Sequence, residues 1–135
     1  NPYCLSTGVA LQPWSPLARG ILAGAYKGSM EGGTTNRSKG QDRARTESLY
    51  RGEMDFAIAD RVVTLTEERD CSPAQIAIAW LLSKPGVISP VVGVSRVEQL
   101  TQLVEACSIE LSTEEISRLE ELYRPVDNLL SIGTS

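Results

Sequence analysis

The sequence contains no histidine, and this absence is the most informative feature of its composition. Histidine is the usual general acid or base in enzymes and the commonest metal ligand, so the chain lacks the ordinary side chain for both roles. Aromatic residues are also scarce, at 5% of the chain, with a single Phe and two Trp. No apolar run reaches the ~18 residues that a membrane-spanning helix requires. A metal site, a histidine-based catalytic site and a membrane partner are therefore not expected.

Cysteine and basic charge are limited as well. The three cysteines, Cys4, Cys71 and Cys107, are an odd number and form no Cys-x-x-Cys pair. They are predicted to be reduced thiols that act as small buried hydrophobes, which is typical of a cytoplasmic protein. The net charge of -4 and the pI of about 4.9 argue against general binding to nucleic acid.

At 135 residues the chain is long enough for one domain, 1–135. It opens Asn-Pro-Tyr-Cys without an initiator methionine, so we expect a piece of a longer protein. Residues 1–7 are predicted to be the end of a helix that Gly8 terminates.

The stretch from Gly8 to Gly24 carries the first candidate site. Its apolar run, Val9 to Leu11, predicts a strand buried on both faces, and Pro13 and Pro16 end that strand. The turn that follows carries one aromatic ring, one hydroxyl and one fixed cation: Trp14, Ser15 and Arg19. These three groups after a buried strand would suit a flat, anionic cofactor.

Residues 25–52 show no apolar periodicity and are rich in polar residues and glycine, so we expect a long loop. Loops of about 28 residues are usually lids, binding loops or disordered segments. Arg37, Arg43 and Arg45 lie within it. Two interpretations stay open, a solvated mobile loop and a lid that grips an anion.

Three helices are predicted beyond this loop. The apolar stripe that begins at Met54 continues to Glu68 or Arg69. Ser72 and Gln75 form a capping box for a helix over 73–83, which is apolar nearly all round and should hold Trp80 in the core. A further capping box, Ser112 to Glu115, opens a helix that Pro125 should end. Its inward residues are expected to be Ile116, Leu119 and Leu122, and the tail 126–135 should be irregular.

The second candidate site follows a β-branched run, Val87 to Val92, which predicts another buried strand despite Pro90. Ser95 and Glu98 form a capping-box pattern, so a helix should begin directly after Gly93. Its apolar face should comprise Val97, Leu100, Leu103 and Val104. The free N–H groups and positive dipole end of that helix could bind an anion, with Arg96 and Gln99 in its first turn.

Alternating buried strands and helices indicate an α/β fold with a parallel sheet and right-handed crossovers. Two parallel strands cannot cover their own faces and edges, so the chain should be part of a larger protein or of an oligomer. Both candidate sites follow the carboxyl ends of strands, where parallel α/β folds collect their ligands.

The sequence resembles the aldo-keto reductase family, and in particular its branch of bacterial oxidoreductases and potassium-channel β subunits. The residues that carry the resemblance are Pro13-Trp14-Ser15-Pro16-Leu17-Ala18-Arg19-Gly20, Thr34 to Ser38, Ser72 to Gly86 and Pro90 to Leu100. The match extends from Pro2 to about Pro125. The family has a (β/α)8 TIM-barrel fold and transfers hydride from NADPH to an aldehyde or ketone. Such barrels need roughly 250 residues, so the resemblance implies the carboxyl-terminal portion, strands seven and eight with their helices and a C-terminal helix.

The resemblance also implies roles for individual residues. Trp14 would stack on the nicotinamide ring of NADP(H). The pyrophosphate turn would be lined by Ser15, Pro16, Leu17 and Arg19, and Arg37 would reach the cofactor from the covering loop 25–52. The adenosine end would be held by Gly93, Ser95, Arg96 and Gln99, with Ser95 and Arg96 on the 2′-phosphate.

The family's catalytic tetrad of aspartate, tyrosine, lysine and histidine is not found in this chain, so no catalytic residue is expected. The branch with channel subunits has a lysine where this chain has Ala25, with Lys27 close by. Three functions are compatible with these features. They are the cofactor-binding part of a reductase, a stand-alone non-catalytic module that binds nucleotide or self-assembles, and a channel-β-like regulatory subunit.

Overall fold

The computed structural model describes residues 2–26, 28–29, 42–50 and 52–125. Within these residues six α-helices follow one another along the chain: α1 (Pro2–Thr7), α2 (Asp42–Leu49), α3 (Glu53–Glu67), α4 (Pro73–Leu82), α5 (Val97–Glu105) and α6 (Thr113–Glu120). Two 3-10 segments, Ala18–Ala23 and Ala106–Ser108, complete the helical structure. The predicted tail 126–135 lies outside the described residues. No described helix has both the length and the apolar character that crossing a membrane requires.

Helices α3 and α4 confirm the prediction from periodicity and capping. Along α3 the buried residues recur at helical spacing: Phe56, Ala59, Val62 and Leu65. Helix α4 begins with the predicted capping box, because the Gln75 N–H donates to Ser72 Oγ at 3.3 Å and the Ser72 N–H donates to Gln75 Oε1 at 2.8 Å. Five consecutive residues of α4, Gln75 to Ala79, are buried, so this helix packs on more than one side.

Helix α6 also begins at its predicted capping box, in which Glu115 and Ser112 exchange hydrogen bonds. Leu119 is its one buried residue among those described. The helix ends at Glu120, so the expectation that it continues to Pro125 is wrong. Leu122 lies beyond the helix end and is partly buried. Trp80 is only partly buried, so its expected place in the core is wrong. Its ring N–H donates to Glu120 Oε1 at 2.8 Å, and the centre of its ring lies 4.9 Å from Lys84 Nζ.

Ion pairs join α6 to neighbouring elements. Arg69 Nε lies 2.6 Å from Glu115 Oε1, and Arg118 Nη2 lies 2.7 Å from Glu68 Oε1. Burial raises the pKa of the Glu115 carboxyl, but hydrogen bonds from Ser112 and Arg69 outweigh burial and leave that pKa below its usual value. A hydrogen bond from Lys84 likewise lowers the pKa of Glu120.

The two apolar runs lie side by side, as predicted, but neither is a regular buried strand. Parallel bridges join Leu11 to Val87 and Trp14 to Val91. Val9 is 51% exposed and Ile88 is 61% exposed, so burial on both faces is the wrong expectation for both runs. Parallel strands acquire their cover from helices and further strands on both sides, and nothing among the described residues supplies it here.

Helix α2 lies in the segment 25–52, for which the sequence predicts a loop. That prediction is wrong for Asp42–Leu49. Its eight residues contain almost no apolar side chains, yet Thr46 is completely buried. The Tyr50 N–H donates to the Thr46 carbonyl at 2.9 Å and closes the last turn. Tyr50 packs against a core cluster of five buried residues: Ile21, Ala25, Tyr26, Phe56 and Ala59.

Candidate functional site

The two candidate stretches leave the paired runs at the same end. The Val91 N–H donates to the Pro13 carbonyl at 2.8 Å, and Trp14 bridges Val91 in parallel. The turn after Trp14 and the residues after Val92 therefore begin next to each other, at the same end of the two paired runs. The two stretches therefore follow the same end of two segments that are paired in parallel.

The turn after Trp14 has an unusual backbone. Ser15, Ala18 and Arg19 have φ values of 56°, 47° and 57°, and Gly20 follows at 101°. Side chains rarely occupy this left-handed region, where each non-glycine residue costs about 1–2 kcal/mol. Backbone hydrogen bonds hold the conformation, with the Ala18 N–H donating to the Ser15 carbonyl at 3.0 Å. A strained backbone that the surrounding bonds keep in place gives the turn one defined shape.

The Trp14 side chain is 65% exposed, so its ring face is open to a ligand. Pro16 and Leu17 are partly buried beside it. Leu17 packs under helix α4 in the core cluster that contains Ile78 and Leu103. The exposed ring is thus carried by a turn that is itself fixed to the core.

At the second stretch the helix begins one residue later than predicted. Arg96 is the N-cap of α5 and makes no side-chain cap, because a guanidinium has no acceptor. The capping box of Ser95 with Glu98 is therefore wrong. Gln99 takes the third helical position instead, and its Oε1 accepts from the Ser95 N–H at 3.0 Å and from Ser95 Oγ at 3.2 Å.

The start of α5 is open to solvent. Arg96 and Ser95 are both exposed, and a Cβ added at Gly93 would meet no atom within 4 Å. The predicted apolar face of α5 is wrong for three of its four residues, since only Leu103 is buried. The other three are 75%, 46% and 61% exposed: Val97, Leu100 and Val104.

Of the three arginines in the long segment, the structure describes Arg43 and Arg45. Arg37 lies outside the described residues, as does Lys27. On helix α2, Arg43 Nε lies 2.6 Å from Glu47 Oε1 in an ion pair of the i, i+4 type. Arg45 is exposed on the same helix. The choice between a solvated loop and an anion-gripping lid stays a prediction for 25–52.

The charge of Arg19 acts on Tyr50, a residue that is distant in the sequence. Burial raises the pKa of the Tyr50 hydroxyl, while the positive charge of Arg19 lowers it and the carboxylate of Asp55 raises it. The two residues are far apart in the sequence, and no local pattern could have paired them.

No metal site appears among the described residues. No group of three or more potential ligands forms there. The three cysteines are free thiols, but the expectation that they are buried is wrong, since Cys4 and Cys71 are partly buried and Cys107 is exposed. Burial raises the pKa of the Cys71 thiol.

A nicotinamide nucleotide fits this arrangement chemically. Its rings need an exposed aromatic face, and its phosphates need N–H groups and a cation at a helix N-terminus. Trp14 provides the face, and Arg96 at the start of α5 provides the cation on the neighbouring segment.

Comparison with known proteins identifies the family. Residues 1–124 match the model of the aldo/keto reductase family. The chain is 41% identical over 126 residues to a versiconal hemiacetal acetate reductase of Aspergillus parasiticus. The aligned residues cover 92% of this chain and 35% of that protein. It is 43% identical over 130 residues to a putative aryl-alcohol dehydrogenase of Schizosaccharomyces pombe, covering 93% and 34%. It is 31% identical over 121 residues to a probable aldo-keto reductase of Glycine max, covering 89% and 34%. The chain spans about a third of the length of these relatives. It belongs to the aldo/keto reductase family.

Proposed function

We propose that this chain is the NADP(H)-binding part of an aldo-keto reductase that interconverts carbonyl compounds and alcohols. The observation that carries the proposal is the parallel bridge between Trp14 and Val91. It brings an exposed aromatic ring beside a segment that leads into the N-terminus of α5 with its exposed Arg96. Family membership supports the nicotinamide cofactor, and the basic group at the helix start favours the phosphorylated form.

In this proposal each stretch binds one part of the nucleotide. Trp14 stacks on the nicotinamide, and the strained turn of Ser15, Pro16, Leu17 and Arg19 faces the pyrophosphate. Gly93 leaves room for the adenosine, which Gln99 helps to hold, while Ser95 and Arg96 contact the 2′-phosphate. Arg37 remains a proposed contact from the long segment.

When bound, the nucleotide supplies or accepts the hydride. The residues of this chain bind and orient it. The fixed backbone between Ser15 and Gly20 positions the pyrophosphate without rearrangement, because its shape exists before binding. Trp14 covers one face of the nicotinamide and excludes water from that face. We assign no proton transfer to this chain, which has no histidine.

We further propose that the chain forms the carboxyl-terminal part of a (β/α)8 barrel, with strands seven and eight. The apolar residues left exposed on α5 and on the paired runs fit this role, because exposed apolar patches usually mark contact surfaces. The preceding barrel segment, or an oligomer partner, would cover them. The cysteines, all free, suit a cytoplasmic location.

Two other functions remain as alternatives. A stand-alone module would bind nucleotide without reducing a substrate, and the open edges of the paired runs favour it. Purified chain that binds NADPH as a stable monomer without reductase activity would support that reading. A channel-β-like regulatory subunit rests on family kinship alone, and the relatives compared above are fungal and plant proteins.

The test of the main proposal is the cofactor preference of Arg96→Ala. NADPH and NADH dissociation constants are measured by fluorescence titration on the protein and on the variant. A charge-assisted contact is worth about 1.5–3 kcal/mol, so the affinity for NADPH should fall roughly 10- to 150-fold while that for NADH changes little. Arg118→Ala removes a cation that pairs with Glu68, and it serves as the matched control. Equal losses for both nucleotides would refute the assignment of Arg96.

A further inference from the structure

Helix α6 makes little apolar contact with the rest of the chain. Leu119 is the one buried residue of this helix, and it packs in the cluster that contains Val62, Leu65 and Ile76. A cleft of about 270 Å³ opens beside this contact, and it is lined by Arg61, Thr64, Leu65, Arg118, Leu119 and Glu121. A single buried leucine beside an open cleft removes little apolar surface from water, so apolar burial alone holds α6 weakly.

A bidentate ion pair attaches the first turn of α6. Arg69, which follows α3, binds the Glu115 carboxylate through two nitrogens, at 2.6 Å from Nε to Oε1 and 2.9 Å from Nη2 to Oε2. The same Nη2 donates to the Glu110 carbonyl at 3.0 Å. The side chains of Arg69 and Glu115 are 31% and 14% exposed, so the pair is partly shielded from water. Two parallel charge-assisted hydrogen bonds fix the start of α6 in one orientation.

The end of α6 is attached to α4 by a second carboxylate. The ring N–H of Trp80 donates to Glu120 Oε1 at 2.8 Å, and Lys84 Nζ donates to the same oxygen. Trp80 is in the last turn of α4 and Lys84 follows that helix. One carboxylate oxygen therefore connects the last residue of α6 to two donors at the end of α4.

Two arginines connect α6 to α3. Arg61 of α3 lies 2.6 Å from the carboxylate of Glu121, the residue that caps α6, and it also donates to the Arg118 carbonyl. In the opposite direction, Arg118 of α6 donates two hydrogen bonds to Glu68 at the end of α3, at 2.7 and 2.8 Å. Glu68, Arg118 and Glu121 are all exposed. These two pairs are therefore open to screening by salt.

Four ion pairs thus surround the one buried leucine of α6. We infer that α6 detaches from α3 and α4 as a unit while both of these helices stay folded, and that its ion pairs with them set how often it does so. Elements with few buried apolar contacts open locally at a lower free energy than the core. Detachment would uncover the apolar cluster under Leu119. The inference goes beyond the proposed function and needs no nucleotide.

Hydrogen exchange of the full chain at low and high salt tests this inference. Raising KCl from about 0.1 M to about 1 M shortens the Debye length from about 10 Å to about 3 Å, whereas salt does not weaken apolar burial. The amides of residues 116–121 should exchange about tenfold faster at high salt, which is about 1.4 kcal/mol shared among four pairs. The amides of residues 76–82 in α4 should change little. Exchange of α6 that ignores salt, or that equals the exchange of α4 in every condition, would overturn the inference.

The substitution Glu115→Gln separates the ion pair from the capping box. Glutamine at this position can still accept from the Ser112 N–H, so the cap is kept while the charge that Arg69 binds is lost. Exchange of α6 should become about fivefold faster, and its response to salt should decrease. Glu114→Gln is the matched control, because it removes the same charge from an exposed position in the same turn. Equal acceleration in both variants would show an effect of the helix dipole instead, and the inference would be wrong.

A double-mutant cycle then assigns the effect to the pair. Arg69→Met should speed α6 exchange about as much as Glu115→Gln, and the double variant should exchange no faster than the faster single variant. Additive effects would contradict the inference, because each residue would then act independently. Should Glu115→Gln fail to fold, Glu120→Gln takes its place, since it breaks the pair at the opposite end of the helix. The salt series on the unmodified chain decides in either case.

Discussion

The substitution Tyr26→Phe should stabilise the chain, which is the opposite of its usual effect in a protein core. Tyr26 is 2% exposed and belongs to the cluster with Ile21 and Phe56. Its hydroxyl oxygen has less than 1 Å² of accessible surface and makes no hydrogen bond to any described residue. The hydroxyl has therefore lost its water without gaining a partner among the described residues.

The magnitude follows from that loss. An unpaired buried hydroxyl costs about 1–3 kcal/mol, whereas a paired one contributes about 0.5–1.5 kcal/mol. Removing the oxygen eliminates the cost of the unpaired hydroxyl. It also leaves a void smaller than a methyl group, and this void offsets part of the stabilisation. We expect the free energy of unfolding to rise by about 1 kcal/mol.

Urea denaturation measures this change. With an unaltered m-value, a gain of about 1 kcal/mol raises the midpoint by roughly 0.3–1 M. Tyr123→Phe is the matched control, because Tyr123 is 57% exposed and its hydroxyl is hydrated in both states. A decrease of the unfolding free energy in Tyr26→Phe, with no change in the control, would show that the hydroxyl has a partner and that the reasoning is wrong.

Three further predictions concern stability. Ser72→Ala removes one half of the capping box with Gln75 and should lower the unfolding free energy by about 1 kcal/mol in the same urea assay, while Ser72→Asp should retain most of it. Gly86→Ala should cost about 1–2 kcal/mol, because Gly86 has φ +83° and the added Cβ would lie 3.2 Å from a Leu5 methyl, and a neutral result would contradict this strain. The carboxyls of Glu115 and Glu120 have lowered pKa values in the folded chain, so their contribution is complete above their unfolded pKa and is lost as the pH falls through the folded values. The urea midpoint should decrease from about pH 6 to about pH 3, and less so in the double Glu→Gln variant.

The helices could be predicted where a local signal decides them. The capping boxes at Ser72 and Ser112 involve residues three positions apart, and both form as expected. The stripe of α3 is likewise a property of one short stretch. At Ser95 two hydrogen-bond patterns are possible, one with Glu98 and one with Gln99. The sequence predicts the first, whereas the second forms. Gln99 reaches back to Ser95, so the helix starts after Arg96.

Helix α2 could not be predicted, because its stability comes from residues distant in the sequence. The stretch from Asp42 to Leu49 has no apolar periodicity of its own. It is closed by Tyr50, which packs on Ile21 and Phe56. The electrostatic effect of Arg19 on Tyr50 likewise joins residues that are distant in the sequence. Propensity and periodicity describe neighbours along the chain and contain no information on such contacts.

The candidate site shows the same division between local and distant causes. The sequence places Trp14 and Arg96 after two apolar runs, and the bridge from Trp14 to Val91 pairs those runs in parallel. Their cover was predicted wrongly, because a parallel strand becomes regular only when neighbours bind both of its edges and helices pack on both faces. The exposure of Val9 and the reduction of two strands to isolated bridges agree with this requirement. If a preceding barrel segment supplies that cover, it should bury this side chain and extend the bridges into continuous ladders, so the amides of residues 87–92 should exchange more slowly in a longer chain than in this one.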